Sequence, residues 1–138
     1  MVFTFYKKIY GYECDIYGHL NNANYLQMLE AARSEAMILM DISLAKMNGL
    51  GIQFFVYRVE MDFLKALALE ETATVISRFF EVNRLKGKWL QEVFNAKGEK
   101  CFQAVITVVH ASAGKAKRLP VDTYEQIRKF VEEEGSES

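Results

Sequence analysis

Residues 23–40 contain neither glycine nor proline, and their apolar side chains do not keep to one side. Tyr25, Leu26, Met28, Leu29, Ala32, Ala36, Met37, Leu39 and Met40 cover most of the circumference of a helix about 25 Å long. A rod this apolar has to be enclosed, not merely laid on a surface. The rest of the chain reads as the wrapping. From Ile52 onward the pattern turns to strands, over 52–66, 72–83, 88–96 and 100–112, rich in aromatic and β-branched residues. Short connections such as Arg84-Leu85-Lys86-Gly87 and Lys97-Gly98 make these strands antiparallel. In 100–112, Phe102, Ala104, Ile106 and Val108 share one face, with Gln103 and Thr107 on the other. A leading strand over 3–12, anchored by Phe3, Phe5, Ile9 and Tyr12, precedes the helix. A helical turn over 43–49, ended by Asn48-Gly49, follows it, and a terminal helix over 122–133 is capped by Asp122 or Thr123. The predicted class is α+β, an antiparallel sheet wrapped round a long central helix, as a single domain over residues 1–138 with a frayed tail at 132–138. Such a sheet leaves an edge strand that a second copy can extend, which points to a homodimer.

Composition narrows the function classes. With 17 basic and 18 acidic side chains the net charge is −1, so no global field gathers nucleic acid. Cys14 and Cys101 are far apart and fit no metal-ligand spacing, which leaves two reduced thiols. Two histidines, His19 and His110, do not make a histidine-rich metal site, so no metal and no cofactor are expected. The N-terminus lacks a signal-peptide run, and no apolar stretch approaches the roughly 20 residues that span a bilayer; a reducing cytoplasm is the expected compartment. The Gly-x-Ser-x-Gly elbow of serine hydrolases and the glycine-rich phosphate loops are both missing.

What remains is a carboxylate beside a helix start. Asp15-Ile16-Tyr17-Gly18-His19-Leu20-Asn21-Asn22-Ala23-Asn24-Tyr25 runs a polar turn directly into the long helix. Helix starts carry unpaired N–H groups and partial positive charge, and so favour an oxyanion. In that setting Asp15 can attack an acyl carbon or activate a water, with the backbone N–H of Asn22 as oxyanion donor. The same residue also suits a plain turn or cap. Gly18 permits a sharp turn and close approach to a ligand. His19 can donate to substrate or orient Asp15, or simply satisfy nearby backbone. Tyr17 and Tyr25 can line an acyl pocket, and Tyr25 can equally pack with its hydroxyl tied down. Asn21 and Asn24 divide between capping and ligand contact, with Asn21 or Asn22 as N-cap.

Two charged groupings lie outside this turn. Glu30 and Arg33 stand three apart on the helix and can pair, or Glu30 can face a cleft as a second acid. Arg84, Lys86 and Lys88 surround Gly87 as a solvated hairpin or as a clamp for the phosphates of coenzyme A, with Lys115, Lys117 and Arg118 as a rival site.

Asp15-x-x-Gly18-His19-x-Asn21-Asn22-x-x-Tyr25-Leu26, followed by Glu30-Ala31-x-Arg33, resembles the hotdog-fold acyl-CoA thioesterases of the 4-hydroxybenzoyl-CoA thioesterase type, above all their long-chain acyl-CoA branch. The resemblance covers roughly residues 3 to 130. It implies a hotdog domain, dimers often stacked into tetramers, and a cleft at the dimer interface. It also implies acyl-CoA hydrolysis with Asp15 as nucleophile or general base and the helix-start N–H polarising the thioester carbonyl. Some members act instead on acyl carrier protein thioesters, and a non-catalytic acyl-CoA or lipid-binding module on the same fold is the remaining alternative. No acyl-length signature is present.

Overall fold

In the computed structural model, which describes residues 1–131, six strands form one antiparallel sheet. They are β1 (Val2–Lys8), β2 (Gln53–Phe63), β3 (Thr72–Val82), β4 (Lys86–Phe94), β5 (Lys100–Ser112) and the short β6 (Lys115–Ala116). The helices are α1 (Tyr25–Leu39), α2 (Leu44–Gly49) and α3 (Val121–Arg128). Strand order is β1-β3-β4-β5-β2, with β6 returning against the end of β5. Thus β2, although first after α1, lies at one edge and β1 at the other. Strand β5 is long enough to pair with both β4 and β2, in registers such as Trp89↔Ile106 and Phe63↔Phe102.

Alternation decides which side of the sheet meets α1. Ala73, Val75, Ser77 and Phe79 of β3 point inward, as do Gly87, Trp89, Gln91 and Val93 of β4 and Phe102, Ala104, Ile106 and Val108 of β5. Against them α1 buries Tyr25, Met28, Leu29, Ala32, Arg33, Ala36 and Met37, the spacing of one helical face. Gly87 leaves room for an aromatic ring: a Cβ there would come within 2.8 Å of Phe79.

Several expectations need correction. The helix is not enclosed on all sides; Leu26, Ile38 and Leu39 are exposed on the protomer, so its apolar outer face is left uncovered by the chain's own sheet. The first strand ends at Lys8, because the backbone then tightens into a 3₁₀ turn over Gly11–Glu13. Tyr12 is therefore no anchor and is 84% exposed. Thr107 lies on the opposite face of β5 from Ile106 and Val108, as expected, and is buried there. The last helix begins at Val121 behind Pro120, with no side-chain cap from Asp122 or Thr123, and ends at Arg128. The expected tail at 132–138 lies outside the described residues.

Candidate active site

The polar turn folds as a small hairpin. Cys14 bridges to Leu20, and the Asn21 N–H donates to the Glu13 carbonyl at 2.9 Å. Asp15 sits at the hairpin tip: its N–H donates to the His19 carbonyl (2.9 Å), and the Gly18 N–H donates back to the Asp15 carbonyl (3.1 Å). Gly18 takes a positive φ of 77°, which glycine adopts without a Cβ clash. One carboxylate oxygen, Oδ1, accepts from the N–H of Tyr17 at 2.9 Å and more weakly from that of His19 at 3.3 Å. The second oxygen makes no hydrogen bond within the described residues, and the side chain is exposed. One oxygen therefore shapes the loop, as the turn reading expects, and the other has no partner among the described residues.

The hairpin is pinned from two sides. The Leu20 N–H donates to the Leu67 carbonyl (2.8 Å) and the Leu69 N–H to the Gly18 carbonyl (3.0 Å), so the loop lies against the segment that leaves the edge strand β2. His19 pairs through its backbone with Ala68. On the other side, the buried Glu13 holds Lys7 Nζ at 2.7 Å and accepts the Tyr10 N–H at 2.9 Å. The Asn24 side-chain amide donates to the Glu13 carbonyl at 2.8 Å, which ties the helix entrance to the hairpin base.

The entrance itself is a 3₁₀ turn over Asn22–Asn24 that runs into α1. Asn21 is the N-cap, its Oδ1 accepting from the Ala23 N–H at 2.9 Å. The Asn22 N–H, first in the turn, has no acceptor among the described residues. Tyr25 is buried, stacked on Phe102 with ring centroids 4.4 Å apart and edge-on to Phe63 at 5.4 Å. Burial, reinforced by Cys101 and opposed by a bond to the Leu67 backbone, pushes its hydroxyl pKa up to about 12. Tyr17 stands in solvent at the hairpin tip. Asp15, Tyr17, Gly18 and His19 thus share the tip, and Asn21, Asn22 and Asn24 the base, with Tyr25 beneath in the core.

Glu30 and Arg33 occupy a different place, farther along α1. Both line a cavity of about 80 Å³ between the helix and the sheet, together with Met37, Phe54, Trp89 and His110. Arg33 is buried, and Nη1 donates to Gln91 Oε1 at 2.8 Å. Gln91 in turn donates from Nε2 to the Leu29 carbonyl (3.0 Å) and to Ser77 Oγ (2.9 Å). Burial holds the Arg33 pKa below its ordinary value, with the nearby Glu30 charge pulling the other way. Gln91 and Ser77 escaped the sequence reading, and His110 entered it only as one of the two histidines. The signal was there for Gln91, a polar residue on the inward-facing period of an otherwise apolar strand.

The basic residues do not act as one turn. Lys86 Nζ lies over the Tyr57 ring at 5.0 Å, and Lys88 Nζ stands 3.7 Å from Glu81. Arg84 turns the other way, donating from Nε to the Leu119 carbonyl at 2.8 Å. That contact brings Arg84 to a groove of about 230 Å³ shared with Lys117 and Arg118, so one member of the first cluster joins two of its rival. Lys115 is exposed on β6. No group of three or more metal-ligating side chains occurs among the described residues, and no described helix is long and apolar enough to cross a membrane.

Comparison with known proteins bears on the same elements. The Long-chain acyl-CoA thioesterase FadM of Escherichia coli (strain K12) is 29% identical over 127 residues, spanning 90% of this chain and 96% of that protein. Among solved structures, DHNA-CoA thioesterase from Staphylococcus aureus superposes with a TM-score of 0.84 at 22% identity, over 93% of this chain and 89% of the other. The Staphylococcus aureus protein SAV2348, crystallised in complex with CoA, superposes with a TM-score of 0.89 at 14% identity, over 100% of this chain and 89% of the other. At such identities these two speak for the fold. The sequence profile of the Thioesterase superfamily (4HBT) matches residues 17–102, more than half of the chain, from the tip of the hairpin through α1 and the sheet to the start of β5. On that match the chain belongs to the thioesterase superfamily, as a thioester-hydrolysing enzyme built on the hotdog fold.

Proposed function

We propose that this enzyme hydrolyses acyl-CoA thioesters to the free acid and CoA, with Asp15 as nucleophile or general base and the Asn22 N–H as oxyanion donor. The observation that carries the reading is the state of the hairpin. Among the described residues Asp15 has one carboxylate oxygen fixed by backbone N–H groups and one free, seven residues before a helix-entrance N–H without an acceptor. A thioester carbonyl is electrophilic enough for this pair. Attack by the free oxygen would form an acyl anhydride with release of the thiolate, and water would then regenerate the carboxylate. Alternatively, the carboxylate takes a proton from water as the water adds to the carbonyl. In both routes negative charge develops on the carbonyl oxygen, where a fixed N–H at a helix start stabilises it. Tyr17 and His19 stand exposed beside Asp15 on the same hairpin tip, where a substrate can meet them. The long-chain acyl-CoA relative and the CoA-bound structural neighbour support CoA as the thiol carrier. In a dimer, the groove formed by Arg84, Lys117 and Arg118 of the second copy supplies the cations for its phosphates.

A homodimer completes this reading. Strand β2 is an open edge bearing exposed Phe55, Tyr57, Met61 and Phe63, and a second copy would extend the sheet along it. The hairpin is pinned to the segment leaving β2, so that copy would also cover the exposed Ile16 and Tyr17 around Asp15.

The test is substitution of Asp15 with a free-thiol assay on acyl-CoA. Asn preserves the Oδ1 acceptor that shapes the hairpin, so D15N isolates the chemistry from the loop. We expect kcat to fall by at least about a hundredfold in D15N and D15A, within the range that general-base and nucleophilic roles contribute. Activity within a few-fold of the parent would remove Asp15 from the mechanism.

A further inference from the structure

We infer that the cavity beside Glu30 and Arg33 receives the far end of an aliphatic acyl chain and recognises a hydroxyl group carried there. The cavity is uneven in its chemistry. The lining is mostly apolar, with Met37, Ile42, Val56 and Val108 among its aliphatic members, which suits a hydrocarbon chain. Yet four polar side chains, Glu30, Arg33, Ser34 and His110, line the same space, and the two least exposed of them, Arg33 and His110, keep unspent hydrogen-bonding capacity. Arg33 is only 9% exposed, and of its guanidinium donors those on Nη1 alone find a partner, in Gln91. Nε and Nη2 donate to nothing among the described residues. Both atoms still touch solvent, so water satisfies them in the open cavity, and a chain end that displaces that water must supply an acceptor in its place.

His110 supplies the complementary half. Its Nδ1 lies 2.8 Å from the Arg84 carbonyl, an acceptor, so Nδ1 carries the hydrogen. Burial keeps the ring neutral, which leaves Nε2, on the opposite edge, as a bare acceptor without a partner among the described residues. A hydroxyl is the simple group that both accepts from Arg33 and donates to His110. A carboxylate could accept from Arg33 but would meet the Nε2 lone pair and the Glu30 charge at the cavity rim. A keto oxygen would leave Nε2 unused. Glu30 lies eight residues beyond Asn22 on the same helical run, about 12 Å along the axis, within the length of an extended fatty acyl chain. The inference rests on the thioesterase reading only in placing the carbonyl end of that chain at Asn22.

Binding of free acids tests it without requiring turnover. Calorimetric titration of the full chain would compare each alkanoic acid, from hexanoic to hexadecanoic, with its ω-hydroxy counterpart. At the length that reaches the cavity the hydroxy acid should bind about tenfold more tightly, the worth of one well-made hydrogen bond. H110N keeps a donor for the Arg84 carbonyl and removes Nε2, and R33K keeps the charge while moving the donors. In each, the ratio of the two affinities should fall to about one while a thermal melt confirms folding. A ratio near one in the unmodified protein at every length overturns the inference, as does a ratio that survives H110N. If the hydroxy acids bind selectively while no acyl-CoA is cleaved, the catalytic reading fails and this one stands.

Discussion

Tyr25 and His110 are two of the buried side chains that bear on how the protein meets extremes of pH. The Tyr25 hydroxyl is held at about 12, against an ordinary 10.0, mainly by burial against Phe102 and Phe63. The unfolded chain releases that proton first, so the stabilisation is whole below pH 10 and is lost progressively as pH rises towards 12. Urea denaturation across this window should show the decline, and Y25F should flatten it. His110 runs the other way. Burial lowers its pKa below 6.5, so the unfolded state takes up a proton that the folded state refuses, and stability falls as pH drops below 6.5. H110N should remove that acid-side slope. At the surface, Lys117 and Arg118 are exposed beside the Arg84 groove. Replacing both by alanine should raise KM for an acyl-CoA about tenfold, ~1.4 kcal/mol. It should leave KM unchanged for the matching acyl-pantetheine, which lacks the nucleotide phosphates.

Among the elements, the boundaries fell where local chemistry changed hands. The sequence places α1 within two residues of its observed limits, because the run holds no glycine or proline and Asn21 is a good cap. It runs β1 four residues too long, because Tyr10 and Tyr12 look like strand residues while the Glu13 carboxylate, gripping Lys7 and the Tyr10 N–H, draws the chain into a turn. That turn depends on a buried acid finding a distant lysine, which no local pattern reports. Strand β4 shows the opposite economy. Its Gly87 reads as a hairpin glycine, yet its place on the inner face is to admit the Phe79 ring, itself tilted on Trp89 at 5.0 Å. G87A should cost about 1–3 kcal/mol in chemical denaturation, since the ring must move within a packed core.

At the scale of the whole molecule, the protomer leaves apolar surface unspent on two fronts, the β2 edge and the outer face of α1. Lysines at edge positions oppose strand addition, so F55K with M61K should shift sedimentation from dimer towards monomer and reduce activity together with it. The α+β class, the antiparallel pairing and the candidate status of Asp15 were all legible in residue order, because periodicity, turn chemistry and capping act over a few neighbours. Strand order was not. That β2 lies outermost, beyond β5, follows from which inward faces fit around α1, a long-range packing matter. Likewise Glu30 and Arg33 are a plain helix pair on paper. Only folding sets Arg33 against Gln91 and into one cavity with His110, because polar groups from three elements meet there and such a network is fixed by the packing of the whole core.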